Sequence, residues 1–229
     1  MYYKGSHRDE LYPQGEGFFA GRLDYTLSLT DWKNKSVLLA GDSYGQLAQR
    51  ILQLGASYVY SFDIAPPSKE IDYLKKRYHN KFDHEILSIF DLSCKNTFDV
   101  VGYFEVIEHL PPGTELSSLK LLFSSLKEGG EILLSTPHSS LLSYITDPAV
   151  FVGHRHYNLN QIKDLLIRSG FTDISLTRGG FVYSGLDILC MYFFKWVLRK
   201  KYVSSFTSRL NSEYPHSHGL DLFAYGKKK

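Results

Sequence analysis

Five short apolar runs, each followed by a stretch of helical character, leave few folds open to this chain of 229 residues. The runs lie at 36–40, 58–62, 85–89, 99–103 and 131–135 and are rich in Val, Ile, Leu or Tyr, the composition of strands covered on both faces. Between them, 46–54 stops at Gly55, a helix-ending residue, and 68–78 carries Ile71, Leu74 and Tyr78 at helical spacing. The segment 116–126 closes on "KEGG", and "NLNQIKDLLIRSGF" reads as a later helix with an Asn cap and Gly170 at its end. Strands separated by helices are joined by crossovers, so neighbours run parallel. With 172–176 and 222–225 added as edge strands, the expected class is α/β: a doubly wound, mostly parallel sheet of seven strands with helices on both faces.

No internal repeat or compositional boundary divides the chain, which suggests one domain over 1–229. Residues 1–30 and 177–218 break the alternation and are expected to decorate the sheet, as an N-terminal flap and a lid. Tyr2, Tyr3 and Tyr12 are the aromatic candidates of that flap. A net charge of +2 argues against a dedicated nucleic-acid binder. Two cysteines make neither a disulfide framework nor a Cys-rich zinc site, and a reducing cytoplasm is the expected compartment. The longest apolar run, "ILCMYFF", is far short of the roughly 20 residues that span a bilayer. It belongs to an aromatic stretch with a basic end, "KWVLRKKY", which reads as a packed lid helix, a cover for a substrate, or a membrane-surface contact through 186–202.

In an open parallel sheet, ligands bind beyond the carboxyl ends of the strands. The polar residues of this chain follow its strands accordingly: "AGDSYG" after the first, Asp63 in "SFDIAPP" after the second, Asp91 in "SIFDLS" after the third and "FEVIEHLPPG" after the fourth. Glycines at 41 and 45 let the backbone approach a ligand and adopt conformations closed to other residues.

This succession resembles the class I S-adenosylmethionine-dependent methyltransferases over about residues 36–176, and "FDVVGYFEVIEHL", "LKEGGEILLSTPH" and "GHRHYNLNQIKDLLIRSGF" look most like the branch that methylates small molecules and ubiquinone precursors. The resemblance implies a Rossmann-like fold and S-adenosyl-L-methionine as cofactor, with S-adenosyl-L-homocysteine as product. It places Gly41, Asp42, Ser43 and Gly45 around the methionine part, Asp63 on the ribose hydroxyls, and Asp91 on the adenine amino group. Ile64 and Leu92 would wall the adenine ring, and Glu105 would lie beside the cofactor. The family pattern, acid-x-Gly-x-Gly-x-Gly, is altered here: Leu39 stands for the acid and Ser43 for the middle glycine. Asp42 either takes over a contact to the methionine ammonium or serves as a cap.

If "EVIEHL" opens a helical turn, Glu105, Glu108 and His109 share one face. Such a set suits acid–base work, a purely structural role or a divalent cation. In relatives, an E-x-x-E-H arrangement with a later histidine holds a metal, which would make the set Glu105, Glu108, His109 and His156, with His154 as the other later histidine. A metal-free reading makes His109 the first choice of base, His154 the second, with Glu108 beside them, while His138 stabilises its loop. The expected activity is methyl transfer to a small-molecule acceptor, at oxygen. The alternatives are metal-assisted 2′-O-methylation of RNA and a non-catalytic domain that kept the fold.

Overall fold

Val37, Leu38, Leu39 and Ala40 are all buried within β1 (Ser36–Ala40), as a strand covered on both faces requires. The computed structural model describes residues 21–229 except 43, 148, 149, 151, 152, 201, 203–206 and 215–218; the expected roles of Ser43, Tyr2, Tyr3 and Tyr12 lie outside the described residues. Seven strands form one sheet in the order β3-β2-β1-β4-β5-β7-β6, with β2 at Tyr58–Asp63, β3 at Phe82–Ile86, β4 at Phe98–Phe104, β5 at Leu126–Pro137, β6 at Thr172–Gly179 and β7 at Asp221–Lys227. The first five strands pair in parallel, and β7 runs antiparallel to both of its neighbours.

Alternate side chains of the strands feed two cores. Leu38, Ala40, Tyr60, Phe62 and Tyr103 pack with Leu119 and Leu122 of one helix and Ile162 and Leu166 of another. Val37, Leu39, Val59 and Val100 pack on the opposite face with Trp32, Ala48, Ile51, Ile71 and Leu74. The helices are α1 (Arg22–Ser28), α2 (Gln46–Gln53), α3 (Lys69–Arg77), α4 (Glu115–Ser125), α5 (Leu141–Thr146), α6 (Leu159–Ser169), α7 (Val182–Tyr192), which continues in π geometry over Phe193–Leu198, and α8 (Thr207–Glu213). The α6 helix begins with a reciprocal Asn158–Gln161 capping box and ends on Gly170 in the left-handed conformation. Among the described residues, no helix is long and apolar enough to cross a membrane.

Three expectations are corrected. The third strand is Phe82–Ile86 rather than 85–89, because Phe82 and His84 alternate inward while the apolar Ile89 belongs to a 3₁₀ turn. The last strand is not an edge: β7 lies between β5 and β6, antiparallel, and contributes Leu222, Phe223 and Ala224 to the core. Residues 177–179 belong to β6, so the inserted segment is 180–220.

Candidate active site

Strand register brings the polar loop residues into one row. Ala40 of β1 pairs with Phe62 of β2 on one side and Tyr103 of β4 on the other, and Phe104 pairs with Ser135 of β5. Gly41, Asp63, Glu105 and Thr136 therefore stand at neighbouring carboxyl ends, across the point where strand order reverses between β1 and β4. Gly41 holds φ at 85°, and a Cβ there would lie 2.3 Å from Val106 Cγ2, so glycine lets the turn after β4 close against the loop after β1. Asp63 Oδ1 accepts from the Ala65 amide at 2.7 Å, and no described residue bonds its Oδ2. Ile64, next to it, is exposed.

The altered glycine loop is internally satisfied. Asp42 Oδ1 accepts from the Gly45 amide and Oδ2 from the Ala48 amide, at 3.1 and 3.2 Å, so the carboxylate caps the first turn of α2. Burial, with the nearby charge of Asp63 adding to it, pushes its pKa up to about 7. Leu39, where the family has an acid, packs into the core; a Cβ at Gly102 of the adjoining strand would come within 2.6 Å of its Cδ2. Gly45 is left-handed, and a Cβ there would meet Ile71 and Leu74 of α3 at 2.9 Å. The described part of the loop is thus packed, with Leu39 in the core in place of the family's acid.

Asp91 and Leu92 follow β3, in a 3₁₀ turn and just after it. Asp91 is exposed at the end of the 3₁₀ turn and lines a groove of about 370 Å³ with Tyr58, Tyr60, Asp83, Glu85 and Cys94. That groove runs along the outer strands from Tyr58, the first residue of β2, and includes neither Asp63 nor Ile64. Leu92 is buried in the core with Tyr60, Phe62 and Phe98. The residues that directly follow β3 toward the row are Leu87, whose amide donates to the Asp63 carbonyl at 3.0 Å, and Ser88.

The "EVIEHL" segment forms a single 3₁₀ turn, Ile107–His109, rather than an α-helical turn. Glu105 precedes it at φ 56°, a left-handed conformation that breaks the common face expected for Glu105, Glu108 and His109. Its Oε1 accepts from Ser135 Oγ at 2.7 Å and its Oε2 pairs with Arg22 Nη1 of α1 at 2.9 Å. Arg22 also faces Asp221 Oδ1 at 3.6 Å, which ties α1 to β4 and β7.

Glu108 and His109 instead meet the loop before α6. Glu108 is buried; its Oε2 accepts from Thr136 Oγ1 at 3.0 Å, while Oε1 has no partner among the described residues. That oxygen lies 3.9 Å from His109 Nε2 and 3.8 Å from His154 Nε2, and the two imidazole rings are 4.6 Å apart. Burial, then the charge of Glu105, hold the Glu108 carboxyl well above the usual range. Behind the triangle, Asp147 Oδ2 accepts from both His154 Nδ1, at 2.5 Å, and His156 Nε2, at 2.9 Å. A carboxylate only accepts, so His154 carries its proton on Nδ1 and presents the Nε2 lone pair to the cluster. His156 is fully engaged, its Nδ1 accepting from Ser143 Oγ at 3.2 Å. Of the four residues named from the sequence as a metal set, Glu105 is bound to Ser135 and Arg22, and the others fall in two groups of converging donors: Glu108, His109 and His154, and Asp147, His154 and His156. His138 sits apart, its amide bonded to the Leu220 carbonyl at 2.7 Å, where it joins β5 to the start of β7.

Three side chains that hold this region together carry no signal in the sequence. Arg155, passed over between its two histidines, donates to the carbonyls of Ile107 and Leu110 at 2.9 and 2.5 Å and pairs with Glu115. It satisfies the turn that holds Glu108 and His109. Asp147 and Arg22 lie in stretches without a motif, and only tertiary contacts reveal them.

A family model described as a methyltransferase domain matches residues 17–176. A search of the curated proteins finds no match. Among solved structures, a 1,6-didemethyltoxoflavin-N1-methyltransferase of Burkholderia thailandensis, with 1,6-didemethyltoxoflavin and S-adenosylhomocysteine bound, is 16% identical at a TM-score of 0.63, over 92% of this chain and 79% of that one. A SAM-dependent methyltransferase of Archaeoglobus fulgidus is 19% identical at 0.62, over 91% and 92%. A phosphoethanolamine N-methyltransferase of Haemonchus contortus, with phosphomonomethylethanolamine and S-adenosylhomocysteine bound, is 17% identical at 0.61, over 86% and 49%. At these identities the likeness speaks for the fold.

Proposed function

The chain belongs to the class I S-adenosylmethionine-dependent methyltransferases, and from that we propose that it methylates a small-molecule acceptor at oxygen, with His154 taking the acceptor's proton. The cofactor site fits the residues present: left-handed glycines after β1, a carboxylate oxygen left unbonded on Asp63, and the exposed Ile64 beside it. When bound there, the cofactor supplies an activated sulfonium methyl group. Asp63 Oδ2 accepts from its ribose hydroxyls, Gly41 and Gly45 let the backbone come close, and Asp42 holds that loop to α2.

The observation that carries the choice of oxygen is the Asp147–His154 pair aimed at the unpartnered Glu108 Oε1. A neutral amine attacks with its lone pair and needs no base first, whereas a hydroxyl gains nucleophilicity by losing its proton. Asp147 fixes the His154 tautomer, and His109 and Glu108 stand beside its Nε2. Incubation with methyl-labelled S-adenosylmethionine and a panel of phenols, alcohols and amines tests this. Labelled ethers are expected. Label in amines alone would end the oxygen reading and leave the family assignment intact.

The same triangle favours one second reading. A carboxylate oxygen and two imidazole Nε2 atoms lie within 4.8 Å of one another, with His154 braced from behind by Asp147, a donor set that suits a first-row divalent ion. In that case the ion would hold the acceptor oxygen. Activity unchanged by EDTA, with no heat on titration of Zn²⁺ or Mn²⁺, removes it.

A further inference from the structure

Two helices of this chain are amphipathic in the wrong sense for a protein in water. In α7 and its π continuation, Val182, Leu186, Leu189, Phe193, Trp196 and Val197 are exposed, at the spacing that puts them along one side. The opposite side buries Ser184, Gly185, Asp187 and Met191, only the last of them a large apolar side chain. The α5 helix repeats the pattern: Leu141, Tyr144 and Ile145 are exposed, Leu141 by 79%, while Ser143 and Thr146 are buried. The helices touch where a Cβ on Gly185 would meet Thr146 Cγ2 at 3.2 Å. The exposed side of α7 and its continuation is by itself an apolar face about four turns long, of the kind that marks a docking surface.

Toward the C-terminal end of this face the charge has one sign, while Glu213 is taken up by the amides at the start of α7. Asp187, the acid of α7, is turned inward and accepts from Tyr202 Oη at 2.7 Å. Asp147, at the end of α5, is held by His154 and His156. No acid occurs between residues 188 and 212, a stretch that includes Lys195, Arg199, Lys200 and Lys201. Of these, Arg199 and Lys200 are exposed at the end of the apolar side. Aromatic and aliphatic side chains beside cations, with the carboxylates withdrawn, complement a negatively charged apolar boundary.

We propose that residues 182–200 dock on the surface of an anionic phospholipid bilayer. The segment lies in the headgroup layer with Leu186, Leu189, Phe193 and Trp196 toward the acyl chains, and Arg199 and Lys200 against lipid phosphates. It packs through Gly185 on α5, whose Tyr144 stacks on His156 at 4.5 Å. The proposal does not depend on which atom is methylated.

The full chain is mixed with vesicles of phosphatidylcholine alone, or of phosphatidylcholine with phosphatidylglycerol, and floated on a density gradient. Flotation with the anionic vesicles is expected, about tenfold weaker with neutral ones or at high salt. Of the two tryptophans, Trp32 is 2% and Trp196 56% exposed, so a blue shift and protection from acrylamide on adding vesicles report Trp196 entering lipid. Leu189→Glu, at an exposed site, is expected to abolish flotation with the circular dichroism spectrum and cofactor affinity unchanged. Should that variant misfold, the Trp196 signal of the unaltered protein decides alone. Failure to float with no emission shift overturns the proposal, as does flotation indifferent to lipid charge. A dimer that Leu189→Glu converts to monomer would assign the face to a second copy and overturn it too.

Discussion

Glu108 Oε1 and His154 Nε2 face each other across 3.8 Å, too far for a hydrogen bond and near enough for one intervening atom to touch both. Nothing else among the described residues satisfies that carboxylate oxygen. A buried polar atom left in this state is costly; His84 Nε2 and His138 Nδ1 share it, but Glu108 Oε1 alone of the three is a carboxylate oxygen facing two imidazoles.

The first prediction concerns the base. His154→Gln is expected to lower kcat by about a hundredfold or more, since general bases contribute on that order, with the KM for S-adenosylmethionine little changed. Asp147→Asn keeps the ring but weakens control of its tautomer, and should lower kcat by a smaller factor, roughly tenfold. Both are read from S-adenosylhomocysteine release under saturating cofactor. A His154→Gln enzyme with unaltered kcat would remove the imidazole from the mechanism.

Arg155 is a positioning residue. Its planar guanidinium reaches the carbonyls of Ile107 and Leu110 and the Glu115 carboxylate at once. Arg155→Lys can serve one of these at a time. The substitution is expected to cost about 2 kcal/mol, or roughly 4–8 °C in Tm, and to lower kcat because the 107–109 turn carries Glu108 and His109. A Tm loss with kcat intact would make Arg155 purely structural.

The two carboxylates placed on the cofactor by sequence resemblance have different settings. Asp63 stands in the row with Gly41 and Glu105, and Asp91 is exposed on a groove it shares with Asp83 and Glu85. Asp63→Ala is accordingly expected to weaken S-adenosylhomocysteine binding by about ten- to a hundredfold in calorimetry, the loss of charge-assisted hydrogen bonds to two hydroxyls, whereas Asp91→Ala leaves it within about twofold. Equal losses in both variants would put Asp91 back on the adenine.

What the sequence disclosed and what it withheld divide along a physical line. The strands at 36–40 and 99–103 were legible because burial on both faces leaves nearly unbroken apolar runs, and α6 because Asn158, Gln161 and Gly170 mark its ends locally. The edge strand β3 was displaced, since Asp83 and Glu85 point outward and dilute its signal. The face expected for Glu105, Glu108 and His109 failed on one backbone angle, the left-handed φ of Glu105, which no residue type announces when it is not glycine or asparagine. The histidine cluster depends on contacts between residues 108 and 154, set by how the loop before α6 folds back over β5, and spacing alone does not determine which of His154 and His156 faces inward.

Asp42 yields the last prediction, through its effect on stability with pH. In the folded chain its pKa is pushed up to about 7 by burial, against about 3.9 for an exposed aspartate. The folded state therefore keeps a proton that the unfolded chain loses between roughly pH 4 and 7. Its stabilising contribution is complete below the unfolded pKa and is lost as pH rises through the folded one. Asp42→Asn has no such proton, retains an acceptor for one of the two amides, and should lack this pH dependence. The stability of the variant minus that of the unaltered protein is thus expected to rise with pH, by about 1–2 kcal/mol between pH 5 and 8 after allowance for the partial exposure of the loop. Taking the difference cancels the contributions of Glu108 and Asp221, whose carboxyls are also raised. Urea unfolding of both proteins across that range measures it. A difference that stays flat or falls would mean that Asp42 is an ordinary ionised cap, stabilising α2 by its charge.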